Sequence, residues 1–256
     1  MAMPTREELR SALFLKAALP LTKVIREKNP TIRRLTRNLE AVVQFQVKNS
    51  DIGAYLEFAD DALQVGQGIH EEPTVAFVFG SRQSLNTFLA GGIALPVIRG
   101  IYRVDILVKV VPLLLALKIL LPTANPKEPE KRALKVELLL YMVTTALSQL
   151  NKAGEPKISA LVAKSPDRVY QFTVENGPAA YLRMKAGKTK AGRGVYTRRR
   201  PFVLMKFPDI EGAYQVLTQQ AELVEAVSKG FVVTEGAMEY SKEIGMFMQD
   251  IEELVT

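Results

Sequence analysis

The chain repeats itself, and this limits its folds more than any other feature. QFQVKNSDIGAYLEF begins at Gln44 and QFTVENGPAAYLRM at Gln171. Gln44, Phe45, Val47 and Asn49 fall on Gln171, Phe172, Val174 and Asn176; Ala54-Tyr55-Leu56 falls on Ala180-Tyr181-Leu182. Gly66 and Gly68 match Gly192 and Gly194, and Pro73, Val75 and Phe79 match Pro201, Val203 and Phe207. Upstream, Pro30, Ile32 and Leu35 match Pro156, Ile158 and Leu161. The offset stays between 126 (Ala54 to Ala180) and 128 (Pro73 to Pro201) in a chain of 256 residues. A register held through helix, strand and turn residues together is a duplication. Each half is long enough to bury its own core.

Periodicity gives the elements of one unit. Residues 5–27 and 131–153 have helical apolar spacing, and each run is followed by a proline, Pro30 or Pro156. A short helix follows near 31–40 and 157–164. Strands are expected at 42–48, 53–59, 62–69 and 73–79, and again at 169–175, 179–185, 190–197 and 201–207. Val75, Phe77 and Phe79, like Val203, Met205 and Phe207, alternate onto one sheet face. A helix near 82–91 or 209–221 covers the sheet, and one or two more strands and a closing helix end each unit. The boundaries expected are 1–122 and 129–256, joined by a linker at 122–129 in which Pro122, Pro126 and Pro129 crowd together.

Composition removes several classes of function. There is no cysteine, so disulfides, thiolate nucleophiles and cysteine metal sites are out, which suits a reducing cytoplasm. The single histidine, His70, rules out a multi-histidine metal site and reads as a surface residue beside Glu71. No metal and no cofactor is expected. Glu7, Glu8 and Lys16 argue against a signal peptide at the N-terminus. A net charge of +7 permits an anionic partner without naming one.

Residues 104–121 are the most apolar stretch. As a helix they reach about 27 Å, slightly short of the hydrocarbon core, and Lys109 and Lys118 oppose insertion. A helix buried between the two units is expected, with a tunnel wall or lid as the functional alternative, membrane docking ranked below both, and Pro112 kinking it. The two meander hairpins carry opposite charge. Residues 55–74 hold Glu57, Asp60, Asp61, Glu71 and Glu72 and no lysine or arginine, whereas 181–200 hold eight lysines and arginines and no acid. Lys188, Lys190, Arg193, Arg198, Arg199 and Arg200 are therefore candidates for contact with an anionic membrane surface, or for pairing with an acidic hairpin within the chain or in a homo-oligomer. Gly187-Lys188-Thr189 lacks the earlier glycine of a phosphate loop. Nucleic acid is not expected, since only Tyr196 offers a stacking ring in the basic hairpin.

Phe172-Thr-Val-Glu-Asn-Gly, Tyr181-Leu-Arg-Met, Arg200-Pro-Phe-Val-Leu-Met-Lys-Phe-Pro-Asp-Ile and Gly230-Phe-Val-Val-Thr-Glu-Gly, in that order, resemble the sterol carrier protein 2 superfamily. The resemblance covers most of 165–250 and, more weakly, 40–120, where Gly91-Gly-Ile-Ala-Leu-Pro-Val-Ile-Arg-Gly departs from the strand pattern. It implies an α+β fold in two tandem copies. Each copy would be a mostly antiparallel five-stranded sheet, covered by helices over an apolar tunnel that binds sterol, fatty acid, acyl-CoA or phospholipid without catalysis. Phe77, Phe79, Leu85 and Phe88 would line it in the first unit. Phe202, Leu204, Phe207, Tyr214, Leu217, Met238, Met246 and Phe247 would do so in the second, where methionines adapt to varied chains. The rival reading is an accessory or scaffold protein of a lipid-biosynthesis assembly.

Overall fold

A computed structural model describes residues 3–237 and 240–255. It divides into two compact units, one spanning Thr5–Leu121 and the other built from Pro122 onward. The first opens with α1 (Arg6–Leu13), where the Thr5 side chain accepts from the Glu8 N–H and the Glu8 carboxylate accepts from the Thr5 N–H. The expected single helix over 5–27 is not uniform. A π turn at Phe14–Ala18 and a 3-10 turn at Leu19–Leu21 separate α1 from α2 (Thr22–Lys28). Pro20 is the cause: it has no N–H for the carbonyl four residues back, and its ring crowds that carbonyl.

Then come α3 (Pro30–Leu35), β1 (Ala41–Val47), β2 (Gly53–Ala59), β3 (Ala62–Gln67), β4 (Val75–Phe79), α4 (Arg82–Leu89), β5 (Val97–Arg99) and α5 (Val104–Ala116). The second unit repeats the plan with α6 (Pro129–Ala153), α7 (Pro156–Ala163), β6 (Arg168–Val174), β7 (Ala179–Lys185), β8 (Lys188–Arg193) and β9 (Val203–Phe207). It closes with α8 (Ile210–Leu217), α9 (Leu223–Ser228), β10 (Val233–Gly236) and α10 (Ser241–Val255). Pro30 and Pro156 do not end the preceding helices; each is the first residue of the next, and Asn29 or Glu155 caps it.

The sheets run β3-β2-β1-β4-β5 and β8-β7-β6-β9-β10, the same order in both units. β1 and β4 pair in parallel, as do β6 and β9, and the other pairs are antiparallel, so both sheets are mixed. β4 therefore does not continue the meander. The chain leaves β3 at one edge, crosses the sheet, and re-enters beside β1. The first unit also keeps its fifth strand where the sequence pattern breaks. β5 pairs with β4 as β10 does with β9; Gly100 follows β5 at φ +74°, and Gly236 ends β10 at φ +90°. A side chain at either glycine would meet the carbonyl of Thr74 or Phe202.

One face of each sheet is covered by helices. In the first unit Phe45, Ala54 and Gln67 share this face, and the Gln67 amide donates to the Leu15 carbonyl. In the second, α6 lies over β7 and β8, with Ser148 Oγ 3.1 Å from Thr189 Oγ1. By length and composition α6 could cross a membrane, yet 67% of its apolar window is buried in the protein. α5 is not buried on all sides as expected. Ile106, Val110 and Leu113 face inward, while Val104, Val108, Val111 and Leu115 are exposed, because only one stripe meets α2 and α3. It runs through Pro112 and tightens to a 3-10 turn at Leu117–Leu120.

Candidate functional site

The residues that match best between the two copies are structural. Gln44 is fully buried in the middle of β1. Its Nε2 lies 3.0–3.1 Å from the carbonyls of Phe45, Ala54 and Gly68, and its Oε1 accepts the His70 N–H at 2.8 Å. Gln171 repeats this with the carbonyls of Phe172, Ala180 and Gly194 and with the Tyr196 N–H, again at 2.8 Å. The pair pins the segment that crosses from the edge strand to the parallel strand. Tyr55 and Tyr181 lie over Gly66 and Gly192, where a Cβ would enter the ring. His70 and Tyr196 stand edge-on to those tyrosines, with centroids 5.0 Å apart in both units. His70 is thus half-buried rather than a plain surface residue, and its Nδ1 accepts the Glu72 N–H.

On the helix-covered faces the copies differ. In the first unit Phe45 stacks on Phe77 at 5.2 Å, and Phe88 of α4 meets Phe77 at 6.1 Å and Phe79 at 5.2 Å. Of the expected residues, Phe77, Phe79 and Phe88 come together in a chain of packed rings, and Leu85 is buried. In the second unit the strand register puts Met205 where Phe77 stands. The equal lengths of α4 and α8 put Val216 in the place of Phe88. Two rings are exchanged for a flexible thioether and a small branched side chain.

At the end of β6 on this same face lies a cluster that the first unit lacks, since its counterparts are Ala41, Val43 and Thr74. The Arg168 guanidinium sits over Phe202 at 4.5 Å and over Tyr240 at 4.3 Å. Phe202 contacts Tyr170 at 6.0 Å and Tyr240 at 5.1 Å. Tyr170 is 1% exposed, and among the described residues its hydroxyl has no partner of hydrogen-bond geometry; nor has Glu243 Oε2, also buried. Burial raises the Tyr170 hydroxyl above the ordinary tyrosine range, Arg168 opposes this, and the Glu243 carboxylate adds to it. Burial would lower the Arg168 guanidinium, but the Tyr240 and Tyr170 hydroxyls hold it above its usual value. Sequence reasoning singled out Phe202 but missed Arg168, Tyr170, Tyr240 and Glu243. The signal available was an arginine and a tyrosine alternating on a strand whose copy reads Ala41 and Val43.

The other expected lining residues are scattered. Phe207 and Leu217 are buried in the second core. Leu204 alternates onto the opposite face, with Gln171. Tyr214 is occupied: its hydroxyl donates to Asn125 Oδ1 at 2.9 Å, and Arg132 lies over its ring at 4.7 Å. Through that bond, and through Lys135 to the Ala124 carbonyl and Arg132 to the Pro126 carbonyl, the expected linker is tied onto the second unit. Phe247 is buried, Met246 on the next position of α10 is 58% exposed, and Met238 lies outside the described residues.

Neither charged hairpin stands unopposed. Arg26 reaches the Asp61 carboxylate, and Asp167, just before β6, takes Arg183 at 2.8 Å, Arg199 at 2.6 Å and Lys185 at 4.0 Å. Arg193 lies over the Tyr141 ring. Lys188, Lys190, Arg198 and Arg200 are exposed. The bond from Arg183, despite partial burial, holds the Asp167 carboxyl down to about 2. Its folded value lies below its unfolded one, so its stabilisation is present above the ordinary aspartate range and is lost as pH falls through the folded value. In urea titrations the stability gap between wild type and Asp167→Asn should therefore shrink between pH ~4 and ~2. A gap constant across that window would show that Asp167 stabilises nothing through its charge.

No protein-family model matches the chain, and no curated protein matches it. Among solved structures it is similar to sterol carrier protein 2 like 2 from Aedes aegypti, with 15% identity over 37% of this chain and 93% of that one, at a TM-score of 0.25. The palmitated form of the mosquito protein in solution gives 17% identity over 35% of this chain and 86% of that one, at a TM-score of 0.26. A stereoselective inverting sec-alkylsulfatase from Pseudomonas sp. gives 14% identity over 57% of this chain, at a TM-score of 0.29. The chain spans 28% of that enzyme's length.

Proposed function

We propose that the second unit binds and carries a lipid-like ligand, a long apolar chain with a polar head, in the cytoplasm and without catalysis. The carrying observation is the exchange of the rings at Phe77 and Phe88 for Met205 and Val216 on a helix-covered sheet face. Rings that pack together in the first unit leave no such adaptable lining. Arg168, Tyr170 and Glu243 at the end of that face offer the polar head a cation, a donor and an acceptor. The sequence resemblance to the sterol carrier protein 2 superfamily points the same way. Burying an acyl chain is worth ~0.8 kcal/mol per CH₂, enough for micromolar affinity after ordering costs.

Restoring the rings tests this. Met205→Phe with Val216→Phe should weaken a fluorescent long-chain fatty acid at least about tenfold, which is ~1.4 kcal/mol. The reciprocal Phe77→Met with Phe88→Val should leave the affinity unchanged. A folded double variant that binds the probe as wild type does would remove this face from the reading. A scaffold role keeps the same apolar faces but predicts a bound polypeptide rather than a lipid, and native mass spectrometry of the purified protein separates the two.

A further inference from the structure

In the first unit the strip from Gly91 to Leu115 carries apolar side chains that its own core does not use. Ile93 and Leu95 are 95% and 93% exposed, Tyr102 is 81% exposed, and Val97 and Ile101 stand out beside them. α5 continues the strip with Val104, Val108, Val111 and Leu115, spaced so that they share one side of the helix. Among the cations here are Arg99, Arg103, Lys109 and Lys118; the one acid, Asp105, is held by Arg103 at 3.1 Å. The corresponding stretch of the second unit, 219–254, is the reverse in charge: eight acids (Glu222, Glu225, Glu235, Glu239, Glu243, Asp250, Glu252 and Glu253) against Lys229 and Lys242.

We propose that this strip is a docking surface for an anionic lipid bilayer, with the 93–102 loop inserting its side chains and α5 lying along the interface. Charge complementarity argues for lipid: apolar side chains among four cations and a single acid suit an anionic headgroup layer, where tyrosine also anchors well. Pairing with a second copy through the sheet edge is disfavoured by the edge itself. β5 is three residues long and ends in the exposed Arg99, a poor template for a further strand. Insertion differs in kind from contact through Lys188, Lys190, Arg198 and Arg200 in the second unit, which would be electrostatic and screened by salt.

The test uses the full chain and vesicles of phosphatidylcholine with phosphatidylserine, in the absence of any soluble ligand, so it stands apart from the lipid-carrying reading. Ile93→Ser, Leu95→Ser and Tyr102→Ser together should cut vesicle partitioning roughly a hundredfold and remove the part that survives high salt. Lys188→Glu, Arg198→Glu and Arg200→Glu should lower binding at low salt alone. Because the three strip residues are exposed, the variant should melt as wild type does. Wild-type partitioning by the strip variant overturns the proposal. So does a fall in its melting temperature, which would mean that the strip is covered within the chain, or a fall in its solution mass, which would mean that a second copy covers it.

Discussion

Gln171→Leu should lower the stability of the second unit by about 2–3 kcal/mol and free the segment from Gly194 to Arg200. Leucine fills nearly the same volume, so the loss would not come from a cavity. It would come chiefly from the Tyr196 N–H, which donates to the buried amide at 2.8 Å, with a smaller share from the Gly194 carbonyl at 3.5 Å. Each buried group so orphaned costs about 1–3 kcal/mol. Gln44→Leu should do the same to His70 and Gly68 in the first unit. Urea unfolding, with hydrogen exchange of the Tyr196 amide, measures both effects. An unchanged midpoint with the Tyr196 amide still protected would show that the strands hold the crossing segment without the glutamine.

Arg26→Leu should cost about 3 kcal/mol. The arginine is 6% exposed and joins two separate places: Nε donates to Thr36 Oγ1 at 2.9 Å, Nη1 to the Asp61 carbonyl at 2.8 Å, and Nη2 to the Asp61 carboxylate. The Asp61 side chain is 37% exposed, so water screens the Coulombic part, and most of the loss should come from the bonds to Thr36 and the turn carbonyl. That turn, Asp60-Asp61, has both residues at positive φ, 51° and 53°, a conformation these side chains adopt at a cost and that Arg26 helps to hold. Arg26→Lys should not rescue, because one ammonium cannot serve both groups as the planar fork does. A lysine variant as stable as wild type in urea would assign the effect to charge alone.

The two units, their sheets and nearly every element could be read from the chain, because periodicity and turn chemistry are local. Strand β4 shows how far that extends. Its alternation marks it as a strand, yet nothing local says that it skips β3 and lies parallel to β1. The buried Gln44 and the segment it pins make that crossing, and both are visible only as matched letters in the sequence. The fifth strand of the first unit hid for a simpler reason. Val-Ile-Arg-Gly and Val-Thr-Glu-Gly share two residues, and the offset jumps there from 128 (Val75 to Val203) to 136 (Val97 to Val233).

Charge was legible as composition but not as pairing. The basic hairpin holds no acid between 181 and 200, and Asp167 opposes it from beyond that window because β6 and β7 pair Arg168 with Met184. The candidate site follows the same rule. Phe202 stands out in the sequence, whereas Arg168, Tyr170, Tyr240 and Glu243 are spread over 76 positions (168 to 243) and mean nothing until the sheet and the closing helix meet. Sequence alone determined most stretches of helix and strand and that they fall into two similar halves, because backbone preference and apolar period act over a few residues. Tertiary structure decided which faces fill with rings, which cations find a carboxylate and which polar atoms are buried without one, because those depend on contacts between residues far apart in the chain.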